Sequence, residues 1–349
     1  MSKNHPFYQH GSLIFVVDCD SNIRESLVER LDQYFKQTFK YHEPIQLTFK
    51  LRIRETLPNL NKQILYTQRQ KFIGREYITV HEGKDFLILQ TDASPYHPIT
   101  ILAKRHEEFY FFVSPSVETW FLYILRFIQE AVYTLHECEG WVAYHASLVT
   151  LENQGVLILG PSNAGKTTLL SYLCIFANAC FIGNESIVIK ERKALYDPFP
   201  LSFRKGTIKA ISKLSFENHY FDPSRELEDH STVAIFSPLA FSKISDVDFR
   251  AECKIARIII TNFQKDYSNT PYTQKIESKT ARSILLENCM STIKAWNYKK
   301  LINADLDAQE IIKNADFQSD LLSQQVPAIK LTFGPDTNPR ELVNIIKYC

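Results

Sequence analysis

The sequence predicts a mixed α/β protein: a core built on a phosphate-binding loop (P-loop), preceded by a smaller N-terminal α+β domain. Three observations carry that expectation. The 349 residues alternate short apolar runs with stretches of helical period, at 45% hydrophobic and 23% charged residues, the make-up of ordinary globular domains. One apolar run, 155–159, leads without a break into a glycine-rich loop and then a helical pattern. Glycine numbers only 10, and six of these fall between Gly140 and Gly206, around that loop. A chain so sparing of glycine uses it where the backbone needs conformations that other residues resist. The length suits two domains. Their boundary is expected in the helix before Trp141, giving domains of 1–140 and 141–349.

The N-terminal elements follow from residue type and period. Residues 13–17, 45–49, 77–80, 86–89 and 109–113 are short runs or alternations of β-branched, aliphatic and aromatic residues, which predict strands, and 23–39 repeats its apolar residues at helical spacing. Lys50, Arg52, Arg54, Lys62, Arg69, Lys71 and Arg75 stand against Glu55 alone, a solvated face or a contact for an acidic segment. A helix over about 117–137 closes this part. Its apolar stretch 117–135 carries Glu118, Arg126 and Glu130, so it is expected to pack against protein rather than lipid. Residues 141–149 read as one strand, and 155–159, after the turn at Glu152-Asn153-Gln154, is the kind of run covered on both faces of a sheet. Beyond Gly183, strands at 186–190, 233–236, 256–261 and 327–333 alternate with helices near 278–296, 308–315 and 340–347.

Charge and cysteine usage narrow the setting. With 40 Lys plus Arg against 39 Asp plus Glu, no global field draws in a nucleic acid or an anionic membrane, and neither is an expected partner. Seven cysteines, an odd number without a Cys-x-x-Cys spacing, fit reduced thiols and argue against a zinc site or a disulfide framework. The first residues lack the apolar run of a secretory signal, so the expected setting is cytoplasmic.

The loop is Gly160-Pro161-Ser162-Asn163-Ala164-Gly165-Lys166-Thr167-Thr168, which satisfies Gly-x-x-x-x-Gly-Lys-[Ser/Thr] in full. Two glycines let successive backbone N–H groups turn inward, and the helix that starts at Lys166 adds its unsatisfied donors and positive dipole end. In such a loop the lysine reaches the β and γ phosphates and the Thr167 hydroxyl faces a magnesium ion. Four constrained positions arise by chance in about one unrelated chain of this length in a hundred. The strand before and helix after make a purine triphosphate site the firmest expectation.

Phosphoryl transfer needs a further carboxylate for the metal or as a base. The runs 256–261 and 233–236 end without one; Leu13-Ile14-Phe15-Val16-Val17-Asp18 ends in an acid but lies far upstream. The nearer candidate is Phe181-Ile182-Gly183-Asn184-Glu185-Ser186. With His145 in Tyr144-His145-Ala146-Ser147 before the loop, the polar pair Asn184-Glu185 after it, the segment Pro198-Phe199-Pro200-Leu201-Ser202-Phe203-Arg204 and the terminal Val326-Pro327-Ala328-Ile329-Lys330-Leu331 run, the chain from Trp141 onward resembles the HPr kinase family and, more distantly, the nucleotide core of phosphoenolpyruvate carboxykinase.

That resemblance implies a P-loop kinase core of the HPr kinase/carboxykinase type that uses ATP and Mg2+. Its acceptor would be a serine hydroxyl on a peptide or protein, as in stand-alone bacterial relatives that phosphorylate ribosomally made precursor peptides. The N-terminal domain would recognise that substrate, and a homo-oligomer is possible because HPr kinases form rings. Within the family the pair is usually two acids, whereas here Asn184 precedes Glu185, and an amide cannot act as a base. The proton then falls to Glu185 or His145, Thr167 and Glu185 hold the metal, and Arg204 with Lys205 clamps phosphate or an acidic group. Asp197, Asp222, Arg225 and Arg282 carry no motif and stay unassigned. The alternatives are a nucleotide-binding regulatory protein with weak or no transfer, for which Asn184 is the evidence, and a kinase of a small alcohol such as free serine.

Overall fold

A computed structural model describes residues 7–10, 13–35, 46–54, 64–71, 77–83, 86–91, 101–105, 108–112, 120–204, 207–208, 211, 220–221, 233–267, 270–291 and 307–348. The chain divides into two compact units, Met1–Leu135 with Ile293–Leu306, and His136–Thr292 with Asp307–Cys349. Both are mixtures of helix and sheet, as the run lengths predict.

The N-terminal unit holds one eight-stranded sheet. Its strands are β1 (Phe7–His10), β2 (Leu13–Cys19), β3 (Gln46–Arg54), β4 (Ile64–Lys71), β5 (Tyr77–Gly83), β6 (Phe86–Thr91), β7 (Ile101–Arg105) and β8 (Glu108–Phe112), in the order β1-β2-β3-β8-β7-β6-β5-β4. Helix α1 (Ser21–Phe35) joins β2 to its parallel neighbour β3, as a parallel pair requires a crossover. Aromatic rings supply much of the core: Phe15 lies 5.4 Å from Tyr8 and 5.2 Å from Phe35, and Phe109 lies 5.1 Å from Phe127 of α2 (Trp120–Cys138). Strands β1, β4 and β7 escape the sequence reading because polar residues such as Gln68, Arg69 and Lys104 interrupt their apolar pattern. Asp18, the upstream acid, is engaged by Arg52 at 2.9 Å across the β2–β3 pair. The other basic side chains between Lys50 and Arg75 lie outside the described residues.

The C-terminal unit is organised around three parallel strands: β11 (Gln154–Leu159), β18 (Glu252–Phe263) and β20 (Ala328–Phe333). On one side β10 (Ser147–Leu151) and then β12 (Cys180–Gly183) continue the sheet, and on the other β19 (Tyr272–Ile276) pairs β20. A ribbon of β9 (Val142–Tyr144), β13 (Ile187–Lys190) and β14 (Lys193–Leu195) pairs the start of β18. A three-stranded sheet of β15 (Leu201–Arg204), β16 (Tyr220–Phe221) and β17 (Val233–Phe236) lies off this path. The core between sheet and helices is aliphatic, with Leu148, Leu157, Leu159, Ile182, Ile258 and Leu285 buried. The remaining helices are α3 (Lys166–Ala177), α4 (Pro238–Ser245), α5 (Ser278–Glu287), α6 (Ala308–Gln325) and α7 (Pro339–Tyr348).

Three local readings change. The expected single strand over 141–149 is two strands, β9 and β10, separated by a bend at His145 and Ala146; the His145 N–H donates to the Asn288 carbonyl at 2.7 Å rather than to a neighbouring strand. The helix expected over 278–296 ends at Glu287, where Asn288 caps it and Cys289 bridges to Tyr144, while 292–296 lie outside the described residues. Helix α6 runs ten residues past the expected 315, to Gln325. Its later turns bury the polar residues Gln318, Ser319 and Ser323, which blur the apolar period. Arg282, unassigned from sequence, bridges α5 to α6 through Asp316 at 2.7 Å. Among the described residues no helix is long and apolar enough to cross a membrane.

Candidate functional site

The loop 160–165 stands at the carboxyl end of β11, the strand end where ligands settle in open α/β sheets. β11 is there because 155–159 is apolar throughout and buried. The loop then turns on two glycines in the left-handed half of backbone space, Gly160 at φ +151° and Gly165 at φ +88°, with Asn163 at φ +68° between them. Asn tolerates that conformation better than most residues do. Two contacts tie the loop to β18. The Phe263 N–H donates to the Ala164 carbonyl at 3.2 Å, and the Thr261 hydroxyl donates to the Leu159 carbonyl at 3.0 Å. Thr261 occupies the strand end where an acid was sought, and it is buried.

Lys166 opens α3 and is only 8% exposed. Its ammonium curls back over the loop and donates to the carbonyls of Gly160 at 2.9 Å and Pro161 at 3.2 Å. Burial lowers its pKa from the ordinary lysine value, and the Glu185 carboxylate partly restores it. The lysine is thus a poorly hydrated cation held over the mouth of the loop, where an anion would be favoured. Thr168, one residue into the helix beyond Thr167, shares a hydrogen bond of 2.9 Å with Thr207, which follows the β15 strand. Pro161, Ser162 and Asn163 are exposed at the tip.

The turn after β12 faces the same place. β12 pairs β10, which pairs β11, so the end of β12 lies two strands from the loop. Asn184 is 1% exposed, and its Oδ1 accepts from Ser147 at 2.6 Å and from Thr167 at 3.3 Å. Its Nδ2 has no hydrogen-bond partner among the described residues. Glu185 takes a left-handed backbone at φ +72°, which for a non-glycine residue costs about 1–2 kcal/mol. That strained turn presents its carboxylate outward, with Oε2 3.8 Å from Nδ1 of His145. Both side chains are roughly one-third exposed, at 34% for His145 and 39% for Glu185. The bend that splits 141–149 is what carries His145 out of the strand.

Lys166, Thr167, Asn184, Glu185 and His145 therefore converge, linked by contacts from Thr167 to Asn184 and from Glu185 to His145 and by the Glu185 charge acting on Lys166. Arg204 ends β15 as an exposed residue. Lys205, Asp222 and Arg225 lie outside the described residues. One residue was missed. Ser147 sits inside an apolar strand and gave no signal. Asp197, left unassigned from sequence, is buried against Gly183, so closely that a Cβ on that glycine would come within 2.6 Å of the Asp197 Cβ.

Chemically the group suits a phosphate chain with a small hard cation. By donating its proton to Asn184 Oδ1, Thr167 keeps its oxygen lone pairs for a cation that would bind there, and Glu185 offers a partly exposed carboxylate beside it. Among the described residues no cluster of three or more His, Cys, Asp or Glu is placed to hold a metal. Magnesium in such sites is bound by one or two protein oxygens together with substrate phosphates and water, so a sparse donor set fits it.

No family model matches the chain, and no curated protein does. Among solved structures it is similar to the Hpr(Ser) kinase/phosphatase from Coxiella burnetii, at 12% identity and a TM-score of 0.27, over 59% of this chain and 94% of that one.

Proposed function

We propose that this chain is a magnesium- and ATP-dependent kinase that transfers the γ-phosphoryl group to a hydroxyl, a serine of a peptide or protein. The observation that supports it is the meeting of the P-loop with the turn after β12: Thr167 donates to Asn184, and beside them Glu185 and His145 lie 3.8 Å apart. Backbone N–H groups from Gly160 to Thr168, with the Lys166 ammonium, would bind the phosphates; Thr167 and Glu185 would hold the cation. Magnesium at that place would neutralise charge on the phosphate oxygens. The acceptor oxygen bonds to the γ-phosphorus as the bond to the β–γ bridging oxygen breaks, and the acceptor's proton passes to His145, steadied as imidazolium by Glu185. Such catalysis is positioning and charge stabilisation. Arg204 is assigned to a phosphate or acidic group of the substrate, and the domain 1–140 to acceptor recognition.

The test is mass spectrometry of serine peptides, and of free alcohols, after incubation with the protein, ATP and magnesium. One acceptor class is expected to gain a phosphoryl group. Glu185→Gln keeps the shape of the side chain and removes its charge, and the rate is expected to fall about 100- to 1,000-fold. A Glu185→Gln protein that transfers at the wild-type rate would remove the carboxylate from the scheme.

Asn184 favours a second reading, a nucleotide-binding regulatory protein with little transfer, because a neutral amide stands where an acid would serve the chemistry. Asn184→Asp separates the two. A regulatory protein binds ATP, loses binding in Lys166→Ala, and transfers nothing either as wild type or as Asn184→Asp. A kinase turns over with one acceptor class.

A further inference from the structure

We infer that Ser147 is a positioning residue for the divalent cation, acting through Asn184 on Thr167; this rests on the nucleotide-site reading above. Ser147 opens β10 and is fully buried in a strand whose other residues are mostly aliphatic. A buried hydroxyl in such a place is costly unless it is hydrogen-bonded, and alanine would serve packing as well. Its partner is the carboxamide oxygen of Asn184, at 2.6 Å. That oxygen also takes the Thr167 proton at 3.3 Å, whereas the Asn184 nitrogen has no hydrogen-bond partner among the described residues. Among the described residues the side chain of Asn184 is therefore held through its oxygen, and Ser147 makes the shorter of the two bonds.

The orientation of an amide matters in a way that the orientation of an acid does not. With Oδ1 toward Thr167, the threonine gives up its proton and keeps lone pairs for a cation. With the amide reversed, an N–H would donate to Thr167, occupy a lone pair, and set a partial positive charge beside a dication. A carboxylate has two equivalent oxygens and presents an acceptor either way. Ser147 is the group that ties the oxygen of Asn184 in place, so a neutral residue can do part of an acid's work at this position.

The experiment compares ATP affinity in magnesium and in EDTA for the wild type, Ser147→Ala, Asn184→Asp and the double variant, with a melting temperature for each. Ser147→Ala is expected to weaken binding about 3- to 10-fold in magnesium and less than about 2-fold in EDTA. In the Asn184→Asp background that magnesium-specific loss is expected to disappear. Equal losses in magnesium and EDTA, or a loss that persists unchanged in the Asn184→Asp background, would mean that Ser147 serves only packing and would overturn the inference. If wild-type binding gains from magnesium and Ser147→Ala gains as much, the inference alone falls. If the wild type shows no magnesium-dependent ATP binding, the nucleotide-site reading falls and takes the inference with it.

Discussion

Lys166→Met is expected to weaken ATP binding about 10- to 100-fold, the worth of charged hydrogen bonds lost from a buried site, and to cut phosphoryl transfer about 100- to 1,000-fold. Methionine keeps the length and most of the apolar stem, so the comparison isolates the charge. The effect on stability runs the other way. Burial lowers the Lys166 pKa, so the folded state holds that proton less tightly than the unfolded chain does. Stability contributed by this group therefore rises with pH between its lowered value and the ordinary lysine value, since there the unfolded chain binds more protons. Lys166→Met is expected to melt no lower than the wild type at neutral pH and to lack that alkaline rise. ATP affinity, in contrast, is full while the lysine is charged and declines as pH rises through its lowered value. Calorimetric titration across alkaline pH, with thermal melts of both proteins, checks both signs. A Lys166→Met protein that binds ATP like the wild type would overturn the phosphate role.

Gly165→Val is expected to have the largest effect on folding. The residue sits at φ +88°, and a Cβ there would come within 2.7 Å of Phe333 Cζ and 3.1 Å of Phe263 Cβ. The left-handed backbone and the overpacking together cost about 2–5 kcal/mol. Relief requires the loop to move away from β18 and β20, which turns the loop N–H groups and Lys166 off their line. Thermal melting is expected to drop by several degrees, and ATP binding to be lost even where the protein remains folded. A Gly165→Val protein with wild-type melting and binding would show that the loop does not need this backbone conformation.

The loop was legible because each of its requirements is local. A buried apolar run, two glycines, a lysine and a helix start can be read within about twenty residues, and the Cβ contacts at Gly165 show why that glycine is needed. The polar pair at Asn184 and Glu185 was legible through a resemblance rather than a rule of composition. What was not legible depended on partners far along the chain. Residues 141–149 look like one strand because every position but His145 is buried, yet the chain changes partners inside the run: β9 pairs β13, whereas β10 pairs β11 and β12. Asp18 had the right local pattern and the wrong surroundings, since Arg52 engages it in another unit.

By itself, the sequence determined a mixed α/β chain, the strand, loop and helix of the proposed phosphate site, and a set of candidate residues for it. Those are properties of backbone preference and local period. Only the tertiary structure decided that Ser147, Thr167 and Asn184 share one hydrogen-bonded cluster, that His145 stands at a bend beside Glu185, and that Thr261 occupies the strand end where an acid was sought. The reason is register. Which residue faces which depends on how β10, β11, β12 and β18 pair, and a shift of one position in any pair would turn its side chains to the other face.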